Sequence, residues 1–357
     1  MKMNWFLNDS NFTFLDIARI CKFFLNKKNF WTNGSQVKKF EKLMAEYTQN
    51  KYAVFTSSGS TANTVLAMYL KDFYMTEQKK TVIFPSTTWT TSISPFIREG
   101  FTPHFIDINL KDFSIDLDAL EKYLEDNLDN VCCIFFTSLI GFVPDIERIK
   151  SIEQKFKVKV MFDNCENTFG NFKGKNISSF FSSSTSTYFG HQLQSVEGGF
   201  VFTNDKHLYE YSLMCRNHGL TRSLADPSAI RNDLVNEKYD FFMLGNNFRN
   251  SDINAFIGSL DFKRVPLYMQ RRKDLYNLYL QNLDYEHNLP KINNDFDHCP
   301  FCLPISLKSH DQVKEFENYC LEKGIEFRPL ISGNLLRQTC YSKFGDYLNY
   351  KNSELIH

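Results

Sequence analysis

Short apolar segments alternate with helical segments through the first half of this 357-residue chain. The predicted strands are Tyr52–Thr56, Thr81–Pro85, Pro103–Ile108, Val131–Thr137 and Val158–Asp163. The segments between them carry apolar residues at helical spacing, as in Leu117–Leu128. Because parallel neighbouring strands need a crossover connection, usually a helix, the alternation predicts an α/β fold with a central, mostly parallel sheet flanked by helices.

Charge and hydropathy argue against two kinds of partner. The 41 basic and 41 acidic residues balance, so no global field would recruit nucleic acid or an anionic membrane surface. No apolar run reaches the roughly 18 residues that span a bilayer. Polar residues also interrupt the N-terminus, where a secretory signal would need a continuous apolar core. We therefore expect a cytoplasmic protein with no nucleic-acid and no membrane partner.

The nine cysteines do not follow the spacing of a disulfide framework. Cys132 and Cys133 lie inside an apolar run, where a thiol behaves as a small hydrophobe. Only Cys299 and Cys302 are spaced like a pair of metal ligands, and no second pair stands nearby. We expect no metal site.

The first predicted strand leads into a turn of small residues, Ser57–Asn63, and then into the helical segment Thr64–Leu70. Such a strand–turn–helix unit points free N–H groups and the positive end of the helix dipole at an anion. Gly59 and Ser60 are therefore candidates to bind a phosphate. Glycine–serine turns before helices are common, so an ordinary turn remains the alternative.

Two candidate residues come where predicted strands end, at the edge of the sheet where ligands bind in α/β folds. Trp89 follows the second strand, and its indole either stacks on a flat ligand ring or packs a helix onto the sheet. Asp163 ends an apolar strand, and a buried carboxylate needs a partner. A protonated ring nitrogen would be such a partner, and capping of the next turn is the alternative.

A histidine stands in the segment between a polar strand ending at Gly190 and an apolar strand opened by Gly198 and Gly199. His191 either caps a turn or acts as an acid–base group, because the imidazole pKa lies nearest neutrality. Its neighbours in the fold must decide between these two interpretations.

Six segments, taken in order, resemble the DegT/DnrJ/EryC1/StrS family of pyridoxal-phosphate-dependent sugar aminotransferases. They are Ser58–Ser60, Pro85–Trp89, Phe162–Glu166, Ser186–Gly199, Gly245–Arg249 and Ile253–Gly258. The resemblance covers nearly the whole chain, and the ordered combination is specific although each piece alone is weak. It implies a fold-type I architecture, with a large cofactor-binding domain over residues 30–265. Residues 1–29 and 266–357 would form an N-terminal arm and a small C-terminal αβ domain.

The resemblance also implies which residues hold pyridoxal 5'-phosphate or pyridoxamine 5'-phosphate. They are Gly59, Ser60, Trp89, Asp163, Glu166, Ser186 and Asn247. The two turn residues would give N–H groups to the phosphate, helped by the Ser186 hydroxyl. Trp89 would stack on the pyridine ring, Asp163 would pair with its nitrogen, and Glu166 would lie near the ring.

Other implied roles concern the partner subunit and the substrates. Asn247 would reach the phosphate bound by a neighbouring subunit, which implies a homodimer with shared active sites. The residues implied to contact the substrate or the amino donor are His218, Arg222 and Arg328. A structural role for His218 and a surface salt bridge for Arg328 remain open.

One position departs from the family pattern, because His191 stands where most members have a lysine that binds the cofactor covalently. The histidine is typical of the branch that removes the C3 hydroxyl of nucleotide-linked 4-keto-6-deoxyhexoses. The flanking segments most resemble the members that act on GDP-4-keto-6-deoxymannose in the colitose pathway of O-antigen lipopolysaccharide. This implies a 4-keto-3,6-dideoxy product, His191 as acid and base, and L-glutamate regenerating the amine form of the cofactor.

Three alternatives stay open at this point. One is a dehydrase for CDP-linked sugars, which works with an iron–sulfur cluster and a partner reductase. The others are a nucleotide-sugar aminotransferase and a pseudoenzyme that binds the cofactor without catalysis.

The C-terminal region predicts strands at Phe301–Leu307 and Ile325–Arg328, with a helix at Gln312–Glu322 between them. Members of the family that it resembles continue beyond the position of His357 into a further strand and helix. We therefore expect the small domain to be shortened or truncated.

Overall fold

A computed structural model describes residues 4–7, 12–142, 145–282 and 296–357. Residues 1–3 and 8–11 of the predicted arm, and residues 283–295 of the predicted small domain, lie outside the described residues. The strands are β1 Tyr52–Thr56, β2 Thr81–Pro85, β3 Thr102–Ile106, β4 Val131–Thr137, β5 Lys159–Asp163, β6 Asn171–Phe172, β7 Lys175–Asn176, β8 Ser182–Ser186, β9 Gly199–Thr203 and β10 Phe296–Asp297. The helices are α1 Phe14–Leu25, α2 Ser35–Tyr47, α3 Gly59–Phe73, α4 Ser94–Arg98, α5 Leu117–Asn127, α6 Ile146–Phe156, α7 Lys206–Cys215, α8 Asp252–Phe262, α9 Val265–Asn282, α10 His310–Lys323 and α11 Lys351–Leu355.

The central sheet has seven strands in the order β1-β9-β8-β5-β4-β2-β3. The pairs from β8 to β3 are all parallel, which confirms the predicted mostly parallel α/β sheet. Strand β9 is the exception, since it runs antiparallel to both β8 and β1. The connection from β8 to β9 is residues 187–198, which contain no helix, so the chain turns back beside the strand it left.

Apolar residues fill both faces of this sheet. In β4, Cys133 and Phe135 belong to a core cluster with Leu66 of α3, whereas Ile134 and Phe136 belong to a second cluster on the opposite face. Successive side chains of a strand point to opposite faces. Burial on both faces therefore explains why the strand reads as a continuous apolar run.

The register brings the carboxyl ends of neighbouring strands to one edge of the sheet. Thr137 of β4 pairs with Asp163 of β5, and Asp163 pairs with Ser184 of β8. The segments that follow these strands therefore meet at that edge.

The two strands predicted in the C-terminal region are wrong. Within residues 296–357, Phe301–Leu307 forms no strand, and Ile325 makes a single bridge to Trp5. Pro304 lacks an N–H group and interrupts the donors of the first predicted strand. The predicted helix is confirmed as α10.

Residues 335–341 pack against the large sheet. Leu335, Leu336 and Tyr341 are buried in the core cluster that contains Phe84 and Phe105. The division into domains at residues 30 and 265 stays a prediction.

Among the described residues, none of the helices combines the length and the hydrophobicity needed to cross a bilayer.

Candidate active site

Asp163 is the fixed point of the candidate site. Its side chain is 3% exposed and accepts three hydrogen bonds. Asn63 Nδ2 donates to Oδ2 at 2.8 Å, and the Ser92 hydroxyl donates to the same oxygen at 2.7 Å. The Cys165 N–H donates to Oδ1 at 3.0 Å. An ionised carboxylate has about four acceptor positions, so one remains for a further donor such as a protonated ring nitrogen.

Helix α3 begins at Gly59, earlier than the predicted Thr64, which places Gly59 and Ser60 in its first turn. Ser58 caps the helix: its hydroxyl accepts from the Thr61 N–H at 3.1 Å, and Thr61 Oγ1 accepts from the Ser58 N–H at 2.9 Å. The first N–H groups of a helix have no partner within it, and together with the helix dipole they favour an anion.

A side chain at position 59 would fill the space beside this helix end. A Cβ atom there would lie 2.9 Å from Cys165 Sγ and 2.9 Å from Ser186 Cβ. Glycine therefore lets the segment after β5, the end of β8 and the start of α3 approach one another. The predicted phosphate ligands Gly59, Ser60 and Ser186 are thus brought together in one place.

His191 lies on the β8–β9 connection, next to the segment that follows Asp163. Its Nδ1 is 2.8 Å from the Cys165 carbonyl oxygen. Because a carbonyl only accepts, Nδ1 carries the hydrogen and Nε2 of the neutral ring is left as a proton acceptor. Burial lowers the pKa of His191, although the Cys165 carbonyl and the Asp163 charge oppose the shift. The imidazole is therefore held in its neutral, basic form.

Glu166 lies on the same post-β5 segment. Its Oε2 accepts the Ile140 N–H at 2.6 Å. Burial raises the pKa of Glu166 to about 7, helped by the Asp163 charge and opposed by the Ile140 N–H and the Arg328 charge. This carboxyl group therefore changes its protonation near neutral pH.

The segment Cys299–Phe301 forms a wall beside His191 that was not predicted. The Phe301 ring centroid lies 5.3 Å from that of His191. Arg272 donates to the Pro300 and Phe301 carbonyls at 3.1 and 2.8 Å. The Gln192 amide bridges the carbonyls of Glu166 and Cys299 at 3.0 and 2.8 Å. The only signal for Gln192 in the sequence is its position next to His191.

Trp89 extends from the loop that leaves β2, and 51% of its surface is exposed. The same loop continues into the turn Thr90–Ser92, whose Ser92 hydroxyl contacts Asp163. Trp89 and Asp163 are therefore linked through one short turn. The supporting residues Asn63 and Ser92 were not predicted, since neither stands in a sequence pattern of its own.

The remaining predicted residues lie in different surroundings. Arg328 is close enough for its charge to lower the pKa values of both Glu166 and His191. Arg222 is exposed and lies 5.9 Å from the Tyr239 ring.

His218 and Asn247 lie on two adjacent segments. His218 has a positive φ of 62° and donates its N–H to the Asn246 carbonyl at 2.9 Å. Asn247 is exposed, and its Oδ1 accepts from Arg249 Nε at 3.0 Å. Within the described part of the chain, no side-chain hydrogen bond joins Asn247 or Arg222 to the candidate site at Asp163.

Residues 21–357 match the model of the DegT/DnrJ/EryC1/StrS aminotransferase family. The chain belongs to this family. It is 30% identical to the GDP-4-keto-6-deoxy-D-mannose 3-dehydratase of Yersinia pseudotuberculosis over 332 residues, which is 89% of this chain and 83% of that protein.

Two solved structures of the family show how far the fold is shared. The Escherichia coli GDP-4-keto-6-deoxy-D-mannose 3-dehydratase with bound hydrated PLP has a TM-score of 0.88 and 26% identity, covering 100% of this chain and 93% of the other. A GDP-4-keto-6-deoxymannose 3-dehydratase with a trapped PLP–glutamate geminal diamine has a TM-score of 0.87 and 26% identity, covering 99% and 93%. The fold-type I architecture implied by the sequence is thereby confirmed.

Proposed function

We propose that this family member is a nucleotide-sugar 3-dehydratase that uses pyridoxal and pyridoxamine 5'-phosphate. Its substrate is a GDP-linked 4-keto-6-deoxyhexose, and its product is the 4-keto-3,6-dideoxy sugar. The similarity to two GDP-4-keto-6-deoxy-D-mannose 3-dehydratases over most of the chain supports this assignment. The observation that carries it is a neutral imidazole, His191, held beside the Asp163 segment with Nε2 as its free acceptor.

The residues at the edge of the sheet fit the cofactor. The start of α3 offers the N–H groups of Gly59 and Ser60 to a phosphate, in a space that a side chain at position 59 would fill. Asp163 keeps one acceptor position for the pyridine N–H and so favours the protonated ring. We expect Trp89 to supply an aromatic face for the ring and the Ser186 hydroxyl to help bind the phosphate.

When bound in its amine form, the cofactor would supply the amine for the C4 ketone and the two electrons that balance loss of the C3 hydroxyl; hydrolysis would return it in its aldehyde form and release the nitrogen from the sugar as ammonia. His191 Nε2 would accept a proton from the cofactor carbon that carries the amine. The same nitrogen then donates that proton to the C3 hydroxyl, which leaves as water. One imidazole can serve both steps, because Nε2 is left without a hydrogen when Nδ1 donates to the Cys165 carbonyl and can therefore take up a proton and return it.

We infer that L-glutamate restores the amine form, because a related dehydratase has been solved with a trapped PLP–glutamate geminal diamine. Arg328 is our candidate for the glutamate carboxylate or the sugar, with Arg222 and His218 as further candidates. The charge of Arg328 already acts on Glu166 and His191.

We also infer a homodimer with shared sites. Five large apolar side chains in residues 234–244, the segment that precedes Asn247 in the chain, are between 53% and 94% exposed: Leu234, Tyr239, Phe241, Phe242 and Leu244. A second copy of the chain would cover them and would place Asn247 at the cofactor phosphate of the neighbouring site.

The test is product analysis by mass spectrometry with GDP- and CDP-linked 4-keto-6-deoxy sugars, with and without glutamate. The proposal expects loss of the C3 oxygen from the GDP sugar only when glutamate is present. A 4-amino sugar would establish an aminotransferase instead. Turnover of the CDP sugar that depends on an added reductase would establish the cluster-dependent branch. Absence of turnover of either sugar, together with absence of any conversion of the cofactor by glutamate, would establish a pseudoenzyme.

A further inference from the structure

The loop that carries Trp89 is buried before the indole, and the indole itself is half exposed. Ser86, Thr87 and Thr88 are fully buried, whereas Trp89 is 51% exposed. The loop leaves β2 and enters a turn of only three residues, so regular structure does little to fix it. Its polar groups must be held by other segments.

Residues 332–341 bind the backbone of this loop on both sides of Trp89. The Leu335 N–H donates to the Ser86 carbonyl at 3.0 Å. The Ser332 hydroxyl donates to the Thr88 carbonyl at 2.7 Å, and the Tyr341 hydroxyl lies 3.0 Å from the Thr90 carbonyl. The peptide groups that flank the indole therefore have their partners in the C-terminal part of the chain.

Ser353 forms the centre of a buried hydroxyl cluster beneath the same loop. Its hydroxyl donates to Asp107 Oδ1 at 3.0 Å and accepts from Thr87 Oγ1 at 2.9 Å. The Ser86 hydroxyl lies 2.6 Å away. Since the one hydrogen of Ser353 goes to Asp107, Ser86 is the donor in that contact. The Ser86 hydroxyl oxygen also lies 3.3 Å from Asp107 Oδ1, so its hydrogen is shared between Ser353 and the carboxylate.

Asp107, which directly follows β3, links this hydroxyl cluster to the sheet. Its carboxylate accepts the Asn352 N–H at 2.9 Å and the Ser353 N–H at 3.1 Å. Hydrogen bonds to a charged acceptor are stronger than those between neutral groups. The carboxylate therefore connects the start of α11 to the sheet and to the loop.

We propose that Ser353 and Asp107 are positioning residues that hold the Ser86–Trp89 loop, so that the indole is kept in place to stack on the cofactor ring. The role of Trp89 in stacking on the cofactor rests on the proposed function. The fixing of the loop by Ser353 and Asp107 rests on the hydrogen bonds described above. Loss of the Ser353 hydroxyl leaves the buried Thr87 hydroxyl without this acceptor and leaves Ser86 with the longer contact to Asp107 Oδ1 at 3.3 Å. The loop then samples other positions, and cofactor affinity falls.

The test uses the full chain labelled with 5-fluorotryptophan, whose three tryptophans give three ¹⁹F resonances. Trp89→Phe identifies the resonance of Trp89. In cofactor-free protein, Ser353→Ala is expected to shift or broaden that resonance alone. The same variant should bind pyridoxal phosphate about tenfold more weakly, as expected for loss of a buried hydrogen-bonded group.

Ser212→Ala is the matched control, since Ser212 is also fully buried and its hydroxyl donates to a carbonyl within α7. The control should leave both the Trp89 resonance and the affinity unchanged. Asp107→Asn removes the charge but keeps the size of the side chain, and it should have the same effect as Ser353→Ala. It serves as the test variant if Ser353→Ala does not fold. An unchanged Trp89 resonance in both variants overturns the proposal. A changed Trp89 resonance with an unchanged affinity for pyridoxal phosphate would show that Ser353 and Asp107 fix the loop. The same result would refute the role of Trp89 in cofactor binding.

Discussion

Glu166→Gln tests the electrostatics of the site without any substrate. Burial of the carboxyl group raises the pKa of Glu166 from 4.5 to about 7. Since the pKa is higher in the folded protein than in the unfolded chain, the protonated group contributes stability below about pH 4.5. That contribution is lost as the pH rises through 7. Glutamine has nearly the same shape, keeps an oxygen that can accept the Ile140 N–H, and stays neutral at every pH.

The size of the effect follows from the two pKa values. Each unit of difference corresponds to about 1.4 kcal/mol, so the free energy of unfolding of the native protein should fall by roughly 3 kcal/mol between pH 4 and pH 8 through this group. The variant does not lose this contribution. The free energy of unfolding of Glu166→Gln minus that of the native protein should therefore be up to ~3 kcal/mol larger at pH 8 than at pH 4.

The assay is urea unfolding of the cofactor-free protein across this pH range, followed by circular dichroism. Glu46→Gln is the control, because Glu46 is exposed on α2. Its stability should follow that of the native protein at each pH. Parallel pH profiles for Glu166→Gln and the native protein would show that burial does not raise this pKa, and would refute the reasoning.

Four further predictions concern the proposed reaction. His191→Asn should lower the dehydration rate about 10²- to 10⁴-fold with cofactor binding retained, as measured by product formation and absorbance. Because burial lowers the pKa of His191, the loss of native activity on the acidic side of the pH profile should lie below pH 6.5. His191→Lys should bind the cofactor covalently, and failure to trap it with borohydride would contradict the site assignment. Gly59→Ala should weaken cofactor binding at least tenfold in a fluorescence titration, since its Cβ would lie 2.9 Å from Ser186 Cβ. Mixing inactive His191→Asn and Asn247→Ala should restore about a quarter of the sites if they are shared across a two-fold dimer, and no recovery would argue against sharing.

The alternation of apolar and helical segments was enough to predict the parallel sheet, because the periodicity of a strand or helix is a property of neighbouring residues. Asp163 and the Gly59 turn were predicted for the same reason, since each stands at the boundary of a local element. The direction of β9 does not follow from the alternation. It depends on a connection too short to contain a crossover helix.

The C-terminal strands failed because a strand requires a partner, and neither segment finds a ladder among the described residues. An apolar run such as Phe301–Leu307 can equally line the wall beside His191. Pattern alone does not separate these outcomes.

The sequence by itself determined the mostly parallel part of the sheet, the ends of β1, β2, β4 and β5, and the presence of a histidine at position 191 where most members of the family have a lysine. Only the tertiary structure decided how those side chains are held. The Cys165 carbonyl orients His191 from 26 residues away, Asn63 reaches Asp163 across 100 residues, and Ser353 reaches Asp107 across 246. Contacts over such separations arise from packing of the whole chain, and no local periodicity records them.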